Sequence, residues 1–153
     1  MEKIEIREAR FDDPAVQELI GLTMAELSSR YGGSGDDTPV APAEFAPPNG
    51  AFFVAREASG RLIGCGGWRA HGEDAELKRM FTRASARGRG VARQVLAAIE
   101  ESARARGRKR VILETGDKQP EAIALYEKSG YERIEDFGYY KDEPGVLSYA
   151  RVL

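Results

Sequence analysis

Arg87-Gly88-Arg89-Gly90-Val91-Ala92 leads directly into Val95, Leu96 and Ile99, apolar residues spaced for one face of a helix. A turn of small residues before a helix leaves the first backbone N–H groups without intrahelical partners and lets an anion approach them. Upstream, Leu77-Lys78-Arg79-Met80-Phe81-Thr82 reads as a strand. Strand, tight turn and helix N-terminus in that order make a seat for a phosphate or pyrophosphate group. An ordinary strand–helix connection with solvated arginines fits the same six residues, so the rest of the chain has to decide.

Two common nucleotide motifs are excluded. A P-loop closes its glycine turn with Lys-Ser or Lys-Thr, and Val91-Ala92 stand there instead. A dinucleotide fingerprint needs a third small residue after Gly88 and Gly90, where this chain has Arg93.

Downstream, the helix runs from Gly90 to about Arg106 and is ended by Gly107. Val111-Ile112-Leu113 is a short apolar strand, and strand–helix–strand alternation predicts that it lies parallel to the strand before the helix. Pro120 opens a second helix with Ile123, Leu125 and Tyr126 inside and Gly130 as its C-cap. Tyr131 to Phe137 and Leu147 to Val152 read as closing strands.

Upstream, Ile4-Glu5-Ile6-Arg7 alternates like a half-buried strand. Asp12, Asp13 and Pro14 start a helix with Val16, Leu19, Ile20, Met24 and Leu27 on one face, running to about Ser29. The segment from Tyr31 to Gly50 is rich in Gly, Pro, Asp and Ala and reads as a mobile loop or as a short helix around Ala43-Glu44-Phe45. Ala51–Arg56, Arg61–Trp68 and Ala75–Thr82 form an antiparallel meander with turns at Ser59-Gly60 and Gly72. Glycines 64, 66 and 67 suggest close packing against the second of these strands. The expected architecture is α/β (α+β), a mixed sheet with helices on both faces, in a single domain over residues 1–153.

With 153 residues the chain can build a core without disulfides or metal, and 42% hydrophobic with 31% charged residues is the composition of a soluble globular protein. A net charge of −2 argues against a general nucleic-acid binder. Basic residues nevertheless cluster at Arg83, Arg87, Arg89 and Arg93 and again from Arg104 to Arg110, which suits a small polyanion. Cys65 is the only cysteine, so the expected compartment is the reducing cytoplasm, and with His71 the only histidine no metal site is expected. Met1-Glu2-Lys3-Ile4 shows no signal-peptide pattern, and no run is apolar enough to span a bilayer.

Arg87, Gly90 and Ala92 satisfy the pattern Arg/Gln-x-x-Gly-x-Gly/Ala, and Ala122-Ile123-Ala124-Leu125-Tyr126-Glu127-Lys128-Ser129-Gly130-Tyr131 satisfies A-x-x-L-Y-x-K-x-G-F/Y. With these two motifs and the order of its elements, the chain resembles the GCN5-related N-acetyltransferase family over essentially its full length. The resemblance implies a mostly antiparallel sheet of about seven strands with a V-shaped splay. It also implies acetyl-CoA as co-substrate, held by the backbones of Met80, Phe81 and Thr82 and by the turn residues Arg87, Gly88, Arg89, Gly90, Val91, Ala92 and Arg93. Gln119 stands where many members carry Asn; it keeps the amide that meets the pantetheine arm but is longer.

The reaction so implied is direct attack of a small molecule's primary amine on the thioester, through a tetrahedral intermediate. A backbone N–H near Met80 would stabilise the oxyanion. Tyr126 matches the family's proton donor to the leaving thiolate, and a phenol with an ordinary pKa near ~10 is protonated at neutral pH. Glu76 is the first candidate for the base and Glu114 the second. Cys65 reads as a core residue and His71 as a solvated turn residue. Asp36, Asp37 and Glu44 could attract a cationic acceptor. No nucleic-acid or membrane partner is expected, and the chain is expected as monomer or homodimer. A non-catalytic acyl-CoA sensor and a protein-directed acetyltransferase remain the alternatives.

Overall fold

The computed structural model describes residues 3–153, so the first two residues of the N-terminal stretch read for a signal peptide lie outside it. The chain runs β1 (Glu5–Glu8), α1 (Pro14–Tyr31), β2 (Gly50–Arg56), β3 (Leu62–His71), β4 (Asp74–Thr82), α2 (Val91–Ala105), β5 (Arg110–Gly116), α3 (Pro120–Lys128), β6 (Glu132–Arg133) and β7 (Val146–Val152). Short 3-10 turns lie at Pro42–Phe45 and Ala84–Ala86. Among the described residues the strands form one open seven-stranded sheet in the order β1-β2-β3-β4-β5-β7-β6. Only β4 and β5 pair in parallel; the other neighbours are antiparallel. No helix among these residues is long and apolar enough to cross a membrane.

Strand alternation divides the core into two layers. From β2, Phe52 and Val54 pack with Val16, Leu19 and Ile20 of α1, while Ala51 and Ala55 pack with Val91, Val95, Leu96 and Ile99 of α2. Tyr126 of α3 joins the α2 side. Helices therefore cover both faces, as the sequence predicts. Val95, Leu96 and Ile99 are buried, each stabilising the α2 layer by about 2 kcal/mol relative to exposure.

α1 starts where expected, with the Asp13 carboxylate accepting from the Ala15 N–H at 2.9 Å and Pro14 in the first turn. It continues past Ser29 to Tyr31, because the first residue able to leave the helix with positive φ is Gly32 (φ 79°), whose N–H reaches the Ser28 carbonyl. The strand expected from Tyr131 to Phe137 shrinks to Glu132–Arg133. The Asp136 carboxylate accepts from the Ser148 hydroxyl and the Asp142 N–H, folding the chain away from β7. His71 is the last residue of β3 and not a turn residue, and its ring meets Phe137 edge-on at 5.4 Å.

β4 carries an irregularity that shapes everything around it. Cys65 pairs with Phe81 and Gly67 with Lys78, so one residue of β3 faces two of β4. Arg79 takes up the extra residue at φ 62°, a β-bulge in the left-handed region that side chains rarely occupy. Gly66 stands opposite, and a Cβ there would lie 2.3 Å from the Met80 sulfur, so the Met80 side chain would have to move. Before the bulge, β4 pairs with β5 only at Ala75↔Val111 and Glu76↔Ile112. Beyond Glu76 the two strands part, while β5 stays paired with β7 as far as Gly116. The parting is the V-shaped splay that the resemblance implies.

Candidate active site

Two clefts open from the splay. The first, about 530 Å³, runs along Leu77–Thr82 of β4, past the turn before α2, and under Ala122, Leu125 and Tyr126 of α3. The second, about 610 Å³, lies between the chain after α1 and the segment leading into β7, with Tyr139, Tyr140 and Glu143 in its wall. Asp36, Lys78, Glu114, Thr115 and Gln119 line both, so the clefts meet there.

The turn before α2 is built as its sequence suggests. Gly88 (φ 80°) and Gly90 (φ 77°) both take the left-handed conformation, and Gly90 is the N-cap with no side-chain cap bond. The first α2 amide bonded within this helix turn belongs to Gln94, which donates to the Gly90 carbonyl. The N–H groups of Val91, Ala92 and Arg93 precede it, at the positive end of the helix dipole. Arg87 donates to the Thr82 carbonyl and to Glu26 of α1, with its guanidinium 5.9 Å from the Phe81 ring centre. Arg89 and Arg93 are exposed. The other basic cluster is dispersed: Arg104, Lys109 and Arg110 pair with Glu101, Glu73 and Asp74, and Arg108 donates to the Gly72 carbonyl.

Tyr126 is buried at the inner wall of the first cleft, 5.6 Å from the Tyr131 ring centre, and burial pushes its phenol well above the ordinary value. No hydrogen bond of its hydroxyl occurs among the described residues. Gln119 is the N-cap of α3 and its side chain makes no capping bond. Met80, Phe81 and Thr82 line the first cleft beside the turn.

The two carboxylates singled out as bases are placed very differently. Glu76 lies in the paired part of β4, buried, with Arg69 Nε 2.9 Å from its Oε1, and it lines neither cleft. Glu114 lines both. Its Oε2 accepts from the Tyr140 N–H at 3.0 Å, while its buried Oε1 has no partner. Burial holds this carboxyl above the usual carboxylate range; Glu76 and Asp36 push the same way, against the Tyr140 N–H and the Lys78 ammonium. Cys65 is buried, and desolvation pushes its thiol up to about 12, which leaves it an unreactive core residue.

Of the loop acids expected to draw a cation, two are already committed. Asp36 takes Arg79 at 2.5 Å and Lys78 at 3.4 Å on Oδ2, and the Tyr140 and Thr38 hydroxyls on Oδ1. Burial works to raise its pKa, but Lys78, Arg79 and the hydrogen bonds from Thr38 overcome it and hold the carboxyl at about 2. Glu44 pairs with Arg69 at 3.1 Å. Asp37 accepts from Ser34. The segment after α1 is thus pinned to β4, with the short turn at Pro42–Phe45 as one of its two expected forms.

Sequence reading did not single out Tyr140, although its hydroxyl and its N–H both act here. Burial and the Asp36 carboxylate push its phenol up to about 12. The signal was a Tyr-Tyr pair in a polar stretch, which has no local pattern to distinguish it.

Comparisons with known proteins bear on the family and the fold. The model of the acetyltransferase (GNAT) family matches residues 19–131. An IAA acetyltransferase of Azospirillum brasilense is 43% identical over 101 residues, which are 65% of either chain, so the match spans just under two thirds of that relative. The N-acetyltransferase YsnE of Bacillus subtilis, itself uncharacterized, is 40% identical over 113 residues, 69% of this chain and 72% of its own. A crystal structure from Klebsiella pneumoniae, described as an acyl-CoA N-acyltransferase, superposes with a TM-score of 0.81 at 27% identity, covering 98% of this chain and 97% of that one. The chain belongs to the acetyltransferase (GNAT) family of acetyl-transferring enzymes, which use acetyl-CoA.

Proposed function

We propose that the protein moves the acetyl group of acetyl-CoA to the primary amine of a small molecule. The observation that carries this reading is the meeting of the two clefts at Glu114 and Lys78, beside the bulge of β4. One cleft offers a helix N-terminus and open strand backbone, which suit pyrophosphate and pantetheine. The other leads a second molecule to the same point.

In this reading the turn amides from Gly88 to Arg93 hold the pyrophosphate, and the β4 backbone from Met80 to Thr82 bonds the pantetheine arm. Gln119 supplies an amide at the start of α3. The bulged backbone beside Arg79 presents an N–H to the thioester oxygen. The free-base amine attacks the carbonyl carbon; its nitrogen becomes cationic and acidic as the C–N bond forms, and Glu114 receives that proton directly or through a water. The C–S bond then breaks, and Tyr126 gives its proton to the departing thiolate. Burial keeps the Tyr126 phenol protonated at neutral pH. Glu114 is favoured over Glu76 as base because it borders the junction, whereas Glu76 lines neither cleft and is paired with Arg69.

The test is acetyl-CoA consumption, followed as free thiol, against a panel of small primary amines, with Tyr126→Phe in parallel. Turnover that falls about a hundredfold in the variant while acetyl-CoA binding persists is the expected result. Binding without turnover of any amine points instead to a sensor or to protein acceptors. Loss of acetyl-CoA binding by the parent protein would sink the assignment.

A further inference from the structure

A chain of hydrogen bonds leads to Glu114 from the far side of the clefts' meeting point. It begins at the bulge of β4, where Arg79 Nη1 donates to Asp36 Oδ2 and Nη2 donates to the Thr38 carbonyl at 3.1 Å. It crosses Asp36, whose Oδ1 accepts from the Tyr140 hydroxyl at 2.8 Å. That hydroxyl in turn accepts from the Asp37 N–H at 2.7 Å, so its position is fixed from two sides. The Tyr140 N–H then ends the chain on Glu114 Oε2. Residues 36, 79, 114 and 140 come from four separate parts of the sequence, and every link has hydrogen-bond geometry.

We propose that Tyr140, held by Asp36, is a positioning residue that orients the Glu114 carboxylate for catalysis. The inference rests on the role given to Glu114 above. The segment from residue 134 to 145 has almost no regular structure, with β6 ending at Arg133 and β7 starting at Val146. Nothing in a strand ladder therefore fixes where the Tyr140 N–H points. Turn bonds hold it locally, from the Lys141 N–H to the Gly138 carbonyl at 3.0 Å and from the Glu143 N–H to the Tyr140 carbonyl at 2.9 Å, and the Tyr140 hydroxyl ties that turn across the cleft to the segment after α1. With Oε2 so engaged, Oε1 is left as the oxygen without a partner. Gly138 makes the arrangement possible, since a Cβ there would stand 2.5 Å from Oε1. The link to Arg79 ties the same carboxylate to the bulge, so the base and the oxyanion-binding backbone share one frame.

An N–H donated to a carboxylate stabilises its charged form and lowers its pKa. The charged groups that face Glu114 are Lys78 and Glu76 from β4 and Asp36 from the segment after α1. Tyr140→Phe removes one oxygen and none of these charges. Releasing the Tyr140 N–H thus moves the Glu114 pKa upward, and the acid limb of the pH–rate profile moves to higher pH with it.

The experiment follows the Glu114 carboxyl by carbon-13 NMR titration in the parent protein and in Tyr140→Phe, beside kcat and KM across pH for the best amine of the panel. The expected result is an upward shift of the Glu114 titration, an acid limb that follows it, and a kcat reduced about tenfold with KM for acetyl-CoA unchanged. Introduced into Glu114→Gln, the same Tyr140→Phe change should cost nothing further, which a general loss of structure would not reproduce. An unmoved Glu114 titration, or a full extra loss in the Glu114→Gln background, overturns the proposal. A moved titration with an unmoved acid limb leaves the hold on Glu114 standing and overturns its assignment as the base.

Discussion

Along the first cleft a ligand meets mostly backbone: the amides ahead of α2, the free edge of β4 beyond Glu76, and glycines at 88 and 90 that expose them. Along the second cleft it meets side chains, chiefly Tyr139, Tyr140, Glu114 and Glu143, on segments with little regular structure. Backbone groups are offered by any sequence that folds the same way, so the first cleft suits a molecule shared by a whole family. Side chains on loops change without disturbing the sheet, so under the proposed function acceptor choice would reside in the second cleft. The difference also divides the energetics. The first cleft depends on local conformation; the second depends on ion pairs between distant segments.

Removing the charge that pins the second cleft should break this contrast most strongly. Asp36→Asn leaves Lys78 and Arg79 buried without their counter-ion, and the expected loss is about 3 kcal/mol in chemical denaturation. The acid dependence has a defined sign. The Asp36 carboxyl sits at about 2 when folded against an ordinary 3.8, so its contribution is fully present above the ordinary value and fades as pH falls toward 2. A denaturation midpoint for Asp36→Asn equal to that of the parent at neutral pH would remove the ion pairs from this account.

Glu114→Gln sharpens the comparison at the junction. The amide keeps an oxygen for the Tyr140 N–H but cannot take a proton, so kcat/KM should fall about a hundredfold. Because burial raises the Glu114 pKa, the parent loses activity as pH falls through a value above the usual carboxylate range, and the variant should lack that limb. A pH–rate profile of unchanged shape would assign the base elsewhere. The smallest effect belongs to the first cleft. Gly90→Ala meets no atom within 4 Å but forces a side chain to φ 77°, at about 1 kcal/mol. Steady-state kinetics should show a several-fold rise in KM for acetyl-CoA and none in KM for the amine.

The two clefts also differed in how far the sequence could be read. The turn before α2 was legible because its determinants are local: two glycines that must turn left-handed, then a helix whose Val95, Leu96 and Ile99 recur on one face. The segment from α3 into Tyr131 was legible for the same reason. The stretch after α1 was not, since its order comes from Asp36 meeting Lys78 and Arg79, more than forty positions away, and Tyr140, 104 positions away. β6 was overestimated because its alternation says nothing about Asp136 turning the chain toward Ser148. Glu76 drew the first choice as base by standing on the right strand. Only the structure reveals Arg69 beside it.

Arg79 is a single residue that the sheet does not count. Ala75, Leu77 and Met80 pack toward α2, while Phe81 packs toward α1. Strike Arg79 from the list and strict inside–outside alternation runs unbroken from Ala75 to Phe81. A one-residue deletion there would keep every neighbour on its own side, and yet it would erase both the turned peptide and one of the two cations on Asp36. If the proposed function holds, the resulting protein would keep its sheet and lose the peptide offered to the thioester oxygen.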